Sequence, residues 1–267
     1  MKKTYCIVLI SFFALTLLAG CGKTEAVAPD YKAAKGEGEP IEIRWDFGKP
    51  LVYNYSFDQE TIQNAASFMG GQLKKSHAKG DCTITCEGDS KAEFQVMNLR
   101  AENSIQGQPD KKKTKESLPD VTLKGLREDG SFSGKDATQD FLMKTIFKLP
   151  EEPIAIGGTE VIDLETSFHV NNNSGKLRGK KATTFVGYYE IYGVNCIHLE
   201  MKSEYYEFES EDGKKSGSDQ IKLKGSSSLY FDPEAKRIHR TVAECDIKFD
   251  MGLASINQDV KVTLHRM

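Results

Sequence analysis

Most of the chain beyond residue 40 alternates apolar and polar positions, which is the pattern of a β-strand with one buried face. It is clearest in residues 241–251, where every second position is apolar, small or a threonine and the intervening positions are charged, except for Val242. The same alternation predicts strands over 41–47, 51–57 and 82–86. One wet face and one dry face are typical of an antiparallel sheet, so a βαβ arrangement is not predicted.

The rest of the chain predicts more strands separated by polar turns. The turns are predicted at 128–130, 211–213 and 232–234, where Asp, Glu, Gly and Pro cluster. Residues 102–116 are predicted to form a long solvated loop. The additional strands are predicted near 92–100, 118–124, 159–168, 181–191, 194–208, 219–231, 236–251 and 256–265.

One segment, residues 136–149, predicts an amphipathic helix instead. Asp136 can cap its first turn and Pro150 ends it, and the apolar face includes Phe141, Leu142, Ile146 and Leu149. We therefore predict a mainly β fold, a curved antiparallel sheet or half-barrel meander with this helix packed on its concave side. Two interpretations stay open: the helix is ordinary core packing, or it gives way to an apolar ligand.

The N-terminal residues predict a secretory signal peptide. Lys2 and Lys3 precede an apolar run over 5–18, and about fourteen helical residues span roughly 21 Å, short of the ~30 Å hydrocarbon core. The run ends in Leu18-Ala19-Gly20-Cys21, which resembles the lipobox of bacterial lipoproteins. That resemblance implies cleavage after residue 20 and acylation of Cys21, so the acyl chains would attach the protein to a membrane.

The predicted anchor gives a compartment and a domain organisation. Gly22 is not the aspartate that retains lipoproteins at the inner membrane, which favours the outer membrane facing the periplasm; the inner membrane and the cell surface stay open. Residues 21–40 are small, charged and rich in Gly and Pro, and predict a flexible tether. Residues 41–267 are predicted to form a single, mostly antiparallel β domain.

Charge restricts the partners. The whole chain has a formal net charge of −3, and removal of the two leader lysines makes it about −5. A nucleic-acid partner is not expected, because such proteins present a basic face. The expected partners are the membrane, through the acyl chains on Cys21, and an apolar ligand or another envelope protein.

Four cysteines remain in the predicted mature chain beside Cys21: Cys82, Cys86, Cys196 and Cys245. An oxidising compartment permits disulfides. In an extended strand Cys82 and Cys86 lie about 13 Å apart, too far for a bridge, so each needs Cys196 or Cys245 as partner or stays reduced in the core. The pattern leaves both states open.

No catalytic, cofactor-binding or metal-binding residue is predicted. Cys196, His198 and Glu200 share one strand face, but no second ligand cluster accompanies them, and an outward polar face is the preferred interpretation. Residues 130–134 have phenylalanine where a nucleophile elbow needs serine. Residues 175–181 are one residue short of a phosphate-binding loop.

Three short motifs follow one another in the mature chain: Leu51-Val52-Tyr53-Asn54-Tyr55, the Leu149-Pro150 segment that runs to Gly157, and Leu229 to Pro233. In this order the chain is similar to an uncharacterised family of bacterial envelope lipoproteins with a domain of unknown function. The resemblance covers most of residues 50–265 and implies a mostly β domain without an established activity. The chain has Gly158, Thr159 and Glu160 where the family continues with an acidic residue and a tryptophan.

Several functions remain compatible with the sequence. The leading hypothesis is a lipid-anchored, non-enzymatic envelope protein that binds or scaffolds something. Within it, a periplasmic carrier of an apolar or lipid ligand is one alternative, and a partner-binding module with an exposed edge strand is another. A hydrolase with a nonstandard site is the enzymatic alternative.

Overall fold

The computed structural model describes residues 31–67, 70–88, 90–105, 114–132, 145–170, 173–210, 215–217, 221–250 and 254–267. The predicted leader, the predicted acylation site Cys21 and the first half of the tether lie outside the described residues and stay predictions. Within the described ranges, no helix has the length and apolar character needed to cross a membrane.

Fourteen strands make up nearly all of the described structure, as the alternating pattern predicts. They are β1 (Glu37–Ile41), β2 (Pro50–Ser67), β3 (Gly70–Glu87), β4 (Lys91–Ile105), β5 (Thr114–Ser117), β6 (Val121–Arg127), β7 (Ile154–Ile156), β8 (Thr159–Val170), β9 (Asn173–Ile191), β10 (Val194–Ser210), β11 (Lys215–Gly217), β12 (Ile221–Asp232), β13 (Arg237–Asp250) and β14 (Ala254–Arg266).

Twelve of these strands form one antiparallel sheet. Its order is β5-β4-β3-β2-β14-β13-β12-β10-β9-β8, with β6 also on β4 and β11 on β10. The last strand of the chain, β14, pairs with β2 in the middle of this order, from Ala254 opposite Ser67 to Arg266 opposite Tyr55. β1 and β7 form a separate small sheet. The large sheet is open, not closed into a barrel.

The large sheet curves around its apolar face. Phe94 of β4 and Phe231 of β12 are five strand spacings apart, which is about 24 Å in a flat sheet. They are connected through Phe147 and Trp45 by ring-to-ring distances of 5.2, 6.5 and 6.4 Å. These three steps are together shorter than the flat separation, so the side chains converge. We call the face that carries them the inner face.

Residues 42–47 do not form the strand that their alternation predicts. β1 ends at Ile41, and the next residues run over the inner face without a partner strand. Ile43, Trp45 and Phe47 are nevertheless buried, and the Trp45 amide donates to the Glu128 carbonyl. The prediction of a strand over 41–47 is therefore wrong from residue 42 onward. The alternation arises because every second side chain is buried in the core, without any strand pairing.

The segment predicted as a tether is partly docked on the sheet. Ala34 pairs with Thr159 through two backbone hydrogen bonds of 3.0 and 2.8 Å. β1 follows and pairs with β7. The described residues 34–40 therefore pair with the domain, which differs from the flexible tether predicted over 21–40. The long loop predicted over 102–116 is also shorter, because β4 continues to Ile105 and β5 begins at Thr114.

The predicted helix is described only at its C-terminal end. Residues 145–147 form a helical turn that ends before Pro150, and Ile146, Phe147 and Leu149 are buried as predicted. Residues 136–144 lie outside the described residues. We call residues 145–150 the anchor segment.

Gly130 fixes the position of the anchor segment against the turn that follows β6. Its φ is +77°, and a Cβ atom there would lie 1.7 Å from the carbonyl oxygen of Phe147. The Leu149 amide donates to the Asp129 carbonyl in the same contact. Only a glycine allows the two backbones to approach this closely.

We expect Gly130→Ala to destabilise the protein by about 3 kcal/mol or more, because the backbone must move away from Phe147. Gly157→Ala is the matched control: its φ is also +77°, yet nothing lies within 4 Å of the new Cβ atom. The control should cost only about 1 kcal/mol, from backbone strain. Urea unfolding of both variants measures the difference, and equal losses would contradict the close contact.

Candidate functional site

The inner face is the largest continuous apolar surface of the described chain. It combines side chains from β2, β3, β4, β14, β13, β12, β10 and β9, one of every two residues of each strand. Its buried members include Tyr53, Phe57, Ile84, Phe94, Phe185, Leu199, Met201, Leu223, Leu229, Ile247, Val260, Val262 and Leu264. Such a face must be covered by protein or by a ligand.

The anchor segment lies directly on this face because small residues make room for it. A Cβ atom at Gly225 would come within 2.8 Å of both the Thr145 and the Ser203 hydroxyl oxygens. Ser203 Oγ is 3.3 Å from Thr145 Oγ1, and Ser227 donates to the Thr145 carbonyl at 2.7 Å. Gly225, Ser203 and Ser227 therefore form a polar floor beneath the helical turn.

Lys181 is buried on the inner face and donates to the main-chain carbonyl of Lys148. Burial, followed by the positive charge of Lys148, lowers the pKa of Lys181 to about 7. The last carbonyls of a helix lack internal partners, and a lysine is suited to bind them. Lys181 thus ties the end of the anchor segment to β9.

Asp129 and Lys148 form a half-buried ion pair on the other side of the anchor segment, with Lys148 Nζ 2.8 Å from Asp129 Oδ2. Burial alone would raise the pKa of Asp129, but hydrogen bonds from Lys148 and Ser131 lower it to about 2. Arg44 donates to the carbonyls of Pro150 and Glu151. The anchor segment is therefore held at several main-chain carbonyls, so this end of the predicted helix is fixed.

The structure does not assemble Cys196, His198 and Glu200 into a site. Cys196 and His198 are buried, whereas Glu200 is exposed. Burial, followed by the charge of Asp232, raises the pKa of the Cys196 thiol to about 11, which disfavours the thiolate that a nucleophile or metal ligand needs. The His198 ring is stacked on Tyr230, with centroids 4.5 Å apart. Cys196 and His198 lie on the outer face, as the preferred interpretation predicts, but they are buried there and not exposed to solvent.

All four remaining cysteines are free and buried. Cys86 donates to the Phe47 carbonyl, and burial raises the pKa of Cys245 to about 12. They are core thiols in this structure, which is the second of the two states that the sequence left open.

Sequence reasoning missed one cluster of possible metal ligands, Asp58, Glu60 and His77, whose ligand atoms lie within 4.8 Å of one another. The register of β2 against β3, which the sequence does not show, brings them together. Asp58 Oδ1 accepts from His77 at 2.9 Å, and Asp58 Oδ2 lies 3.2 Å from the Lys79 ammonium. These contacts make the cluster a partly exposed ion network, in which Lys79 already supplies the positive charge.

Comparison with protein-family models gave no match, and comparison with curated proteins gave none. Among solved structures, the chain is similar to lipovitellin, described for its lipid-protein interactions, with a TM-score of 0.46 and 9% identity over 83% of this chain. It spans 25% of that lipovitellin chain.

Two bacterial structures are also similar. The hypothetical lipoprotein YmcC from Escherichia coli (K12) has a TM-score of 0.26 and 10% identity, with 75% of this chain and 85% of that chain covered. A DUF1329 family protein from Desulfovibrio piger has a TM-score of 0.15 and 9% identity, with 77% of this chain and 83% of that chain covered. All three TM-scores are below 0.5, so the function has to be argued from the side chains of this chain.

Lys181→Met should remove a pH dependence of stability. The pKa of Lys181 is lower in the folded than in the unfolded chain, so the unfolded chain binds more protons between the two values and stability rises with pH above about 7. Between pH 7 and 8.5, the unfolding free energy of the wild type should rise relative to that of the variant by about 1–2 kcal/mol.

Urea unfolding at both pH values measures this difference, in which the contributions of the buried thiols cancel because both proteins contain them. Lys180→Met is the control, because Lys180 lies on the opposite face of β9 and its loss also removes one positive charge. If the difference in unfolding free energy between the wild type and Lys181→Met did not change with pH, a buried Lys181 that titrates in this range would be contradicted.

Proposed function

We propose that this protein is a lipid-anchored component of the bacterial cell envelope whose inner sheet face binds an apolar molecule. The observation that supports the proposal is the inner face itself. Eight strands contribute one continuous, mainly apolar surface, and the anchor segment is fixed on it. The lipid anchor on Cys21 and the outer-membrane location facing the periplasm are part of the proposal and rest on the sequence motif.

The chemistry of the inner face suits a hydrocarbon chain better than a polar substrate. Aliphatic and aromatic side chains make up most of this face, with buried polar residues such as Thr241 and Gln258 between them, and Lys181 is a charged side chain buried among them. An apolar ligand gains about 25 cal/mol for each Å² of apolar surface that both partners remove from water.

Several contacts hold the anchor segment in place on the inner face. Ser227, Lys181 and Arg44 bind its carbonyls, and Asp129 binds Lys148 and the Leu149 amide. Displacing the whole predicted helix would break all of these contacts. We therefore place the ligand on the inner face beside the anchor segment, which keeps its contacts.

A second candidate function, a module that binds an envelope protein, is favoured by the edge strand β8. In the described part of the chain, the free side of β8 is paired only at Thr159, with Ala34. An edge strand with open main-chain groups can add a strand from a partner. Its test is Val161→Pro, which should abolish capture of a partner by this edge and leave binding of apolar molecules unchanged.

Ile247→Trp should block the proposed ligand site. Ile247 lies on the inner face of β13, two residues beyond Cys245 along the strand, and a tryptophan there would occupy space meant for the ligand. The chain from residue 22 onward, purified without an anchor, should carry an apolar molecule in native mass spectrometry. It should also bind the apolar dye N-phenyl-1-naphthylamine, and the variant should bind this dye at least five-fold more weakly.

Lys248→Trp is the matched control, because it places the same side chain on the outer face one residue away, where the lysine is exposed. It should bind the dye as the wild type does. Two results would overturn the proposal. The first is a wild type that carries no apolar molecule and binds no dye. The second is an Ile247→Trp variant destabilised by about 3 kcal/mol, as expected when a solid core is overpacked.

A further inference from the structure

A row of aromatic and basic side chains crosses four adjacent strands on the outer face of the sheet. His198 of β10 is opposite Tyr230 of β12, Tyr230 is opposite Arg240 of β13, and Arg240 is opposite His265 of β14. Neighbouring strands are about 4.8 Å apart, so the row spans about 14 Å. Arg240 is exposed at its centre.

The hairpin between β9 and β10 lies over this row and presents two exposed tyrosines. The Tyr192 ring is 5.4 Å from the His265 ring and 6.4 Å from the His239 ring, yet 81% of Tyr192 is exposed. The Tyr189 ring is 5.0 Å from the His198 ring and 48% of the residue is exposed. Each tyrosine packs one side on a histidine and offers the other side to a partner.

At the centre of the row, Arg240 has no carboxylate within ion-pair distance among the described residues. The nearby acid, Asp232, lies 3.9 Å from Arg237, which also stacks over Tyr53. We call the surface formed by Tyr189, Tyr192, Tyr230, Arg240 and His265 the aromatic-basic patch.

Buried imidazole nitrogens beside the patch also lack partners. Both ring nitrogens of His239 and Nδ1 of His265 are buried without a hydrogen-bond partner in the described structure. Burial, followed by the charges of Arg266 and His265, lowers the pKa of His239. A negative charge close to these rings would oppose this effect. Because the nitrogens are buried, the group that an anionic partner can reach is the exposed Arg240 guanidinium.

We propose that the aromatic-basic patch is the surface by which this protein lies against an anionic phospholipid membrane. Tyrosine, with an apolar ring and a polar hydroxyl, is the side chain typical of the membrane-water interface. The unpaired Arg240 is attracted to anionic head groups. A nucleic acid would need a much more extensive basic surface, and this chain has a net negative charge.

The expected attraction is weak and matches a protein that is already close to a membrane. Each arginine near an anionic bilayer contributes about 1 kcal/mol. A tether raises the local concentration of the membrane surface, so a weak patch can orient the domain without holding it alone. The patch is separate from the inner face, and its test does not depend on the binding of an apolar ligand.

Arg240→Gln should weaken membrane binding about five-fold. The measurement is co-sedimentation of the chain from residue 22 onward, which contains every described residue, with vesicles of 70% phosphatidylcholine and 30% phosphatidylglycerol at low salt. Lys202→Gln is the control, because it removes one exposed lysine of the outer face at a distance from the row. The control should stay within two-fold of the wild type.

Two further arms separate head groups from other anions. Sodium chloride at 0.5 M should release the wild type, and vesicles of phosphatidylcholine alone should bind it weakly. Inorganic phosphate at 10 mM should not compete with the vesicles beyond its effect on ionic strength. Competition by phosphate would indicate a site for small anions and would overturn the membrane proposal. Equal binding of the arginine variant and its control would also overturn it.

Tyr192→Trp provides an independent measurement of the same contact. The native Trp45 is buried in the core, so its emission should not respond to vesicles. The new tryptophan should shift its emission to shorter wavelength with anionic vesicles and be quenched by brominated phosphatidylglycerol. An unchanged spectrum under conditions where the protein sediments with the vesicles would show that another surface makes the contact.

Discussion

The need to cover one apolar face of a wide open sheet governs this structure. The face cannot close on itself, because β8 at one end and β5 and β6 at the other are not paired with each other among the described residues. Curvature brings the aromatic rings together, and residues 43–47 and the anchor segment pack against the concave side. The burial of these apolar side chains is the dominant favourable contribution to folding.

The cover is attached by polar contacts with its main chain. Ser227 and Lys181 reach up from the sheet to carbonyls of the anchor segment, Arg44 binds the carbonyls that follow, and Asp129 holds Lys148 from the side. Buried carbonyls at a helix end need such partners. The contacts fix where the anchor segment lies. The apolar part of the inner face beyond it carries none of these charged groups, which is the arrangement that the proposed binding of an apolar molecule requires.

The two faces of the sheet have different chemistry and suit different roles. The inner face is apolar around Lys181, whereas the outer face has ion pairs such as Lys224 with Glu204 and Lys261 with Glu244. Near the β9-β10 hairpin this balance of charges ends, and the unpaired Arg240 lies beside exposed tyrosines.

The sequence by itself determined most strands of the large sheet, their alternation of buried positions and the apolar segment that ends before Pro150, but it missed β1, β5, β7 and β11. It could do so because period-2 alternation and a proline stop are local properties of the chain. Only the tertiary structure decided the pairing of β14 with β2, the close approach at Gly130 and Gly225, the burial of Lys181 and the row from His198 to His265. These depend on register between strands distant in sequence. Residues 42–47 alternate without forming a strand because every second side chain is buried in the core.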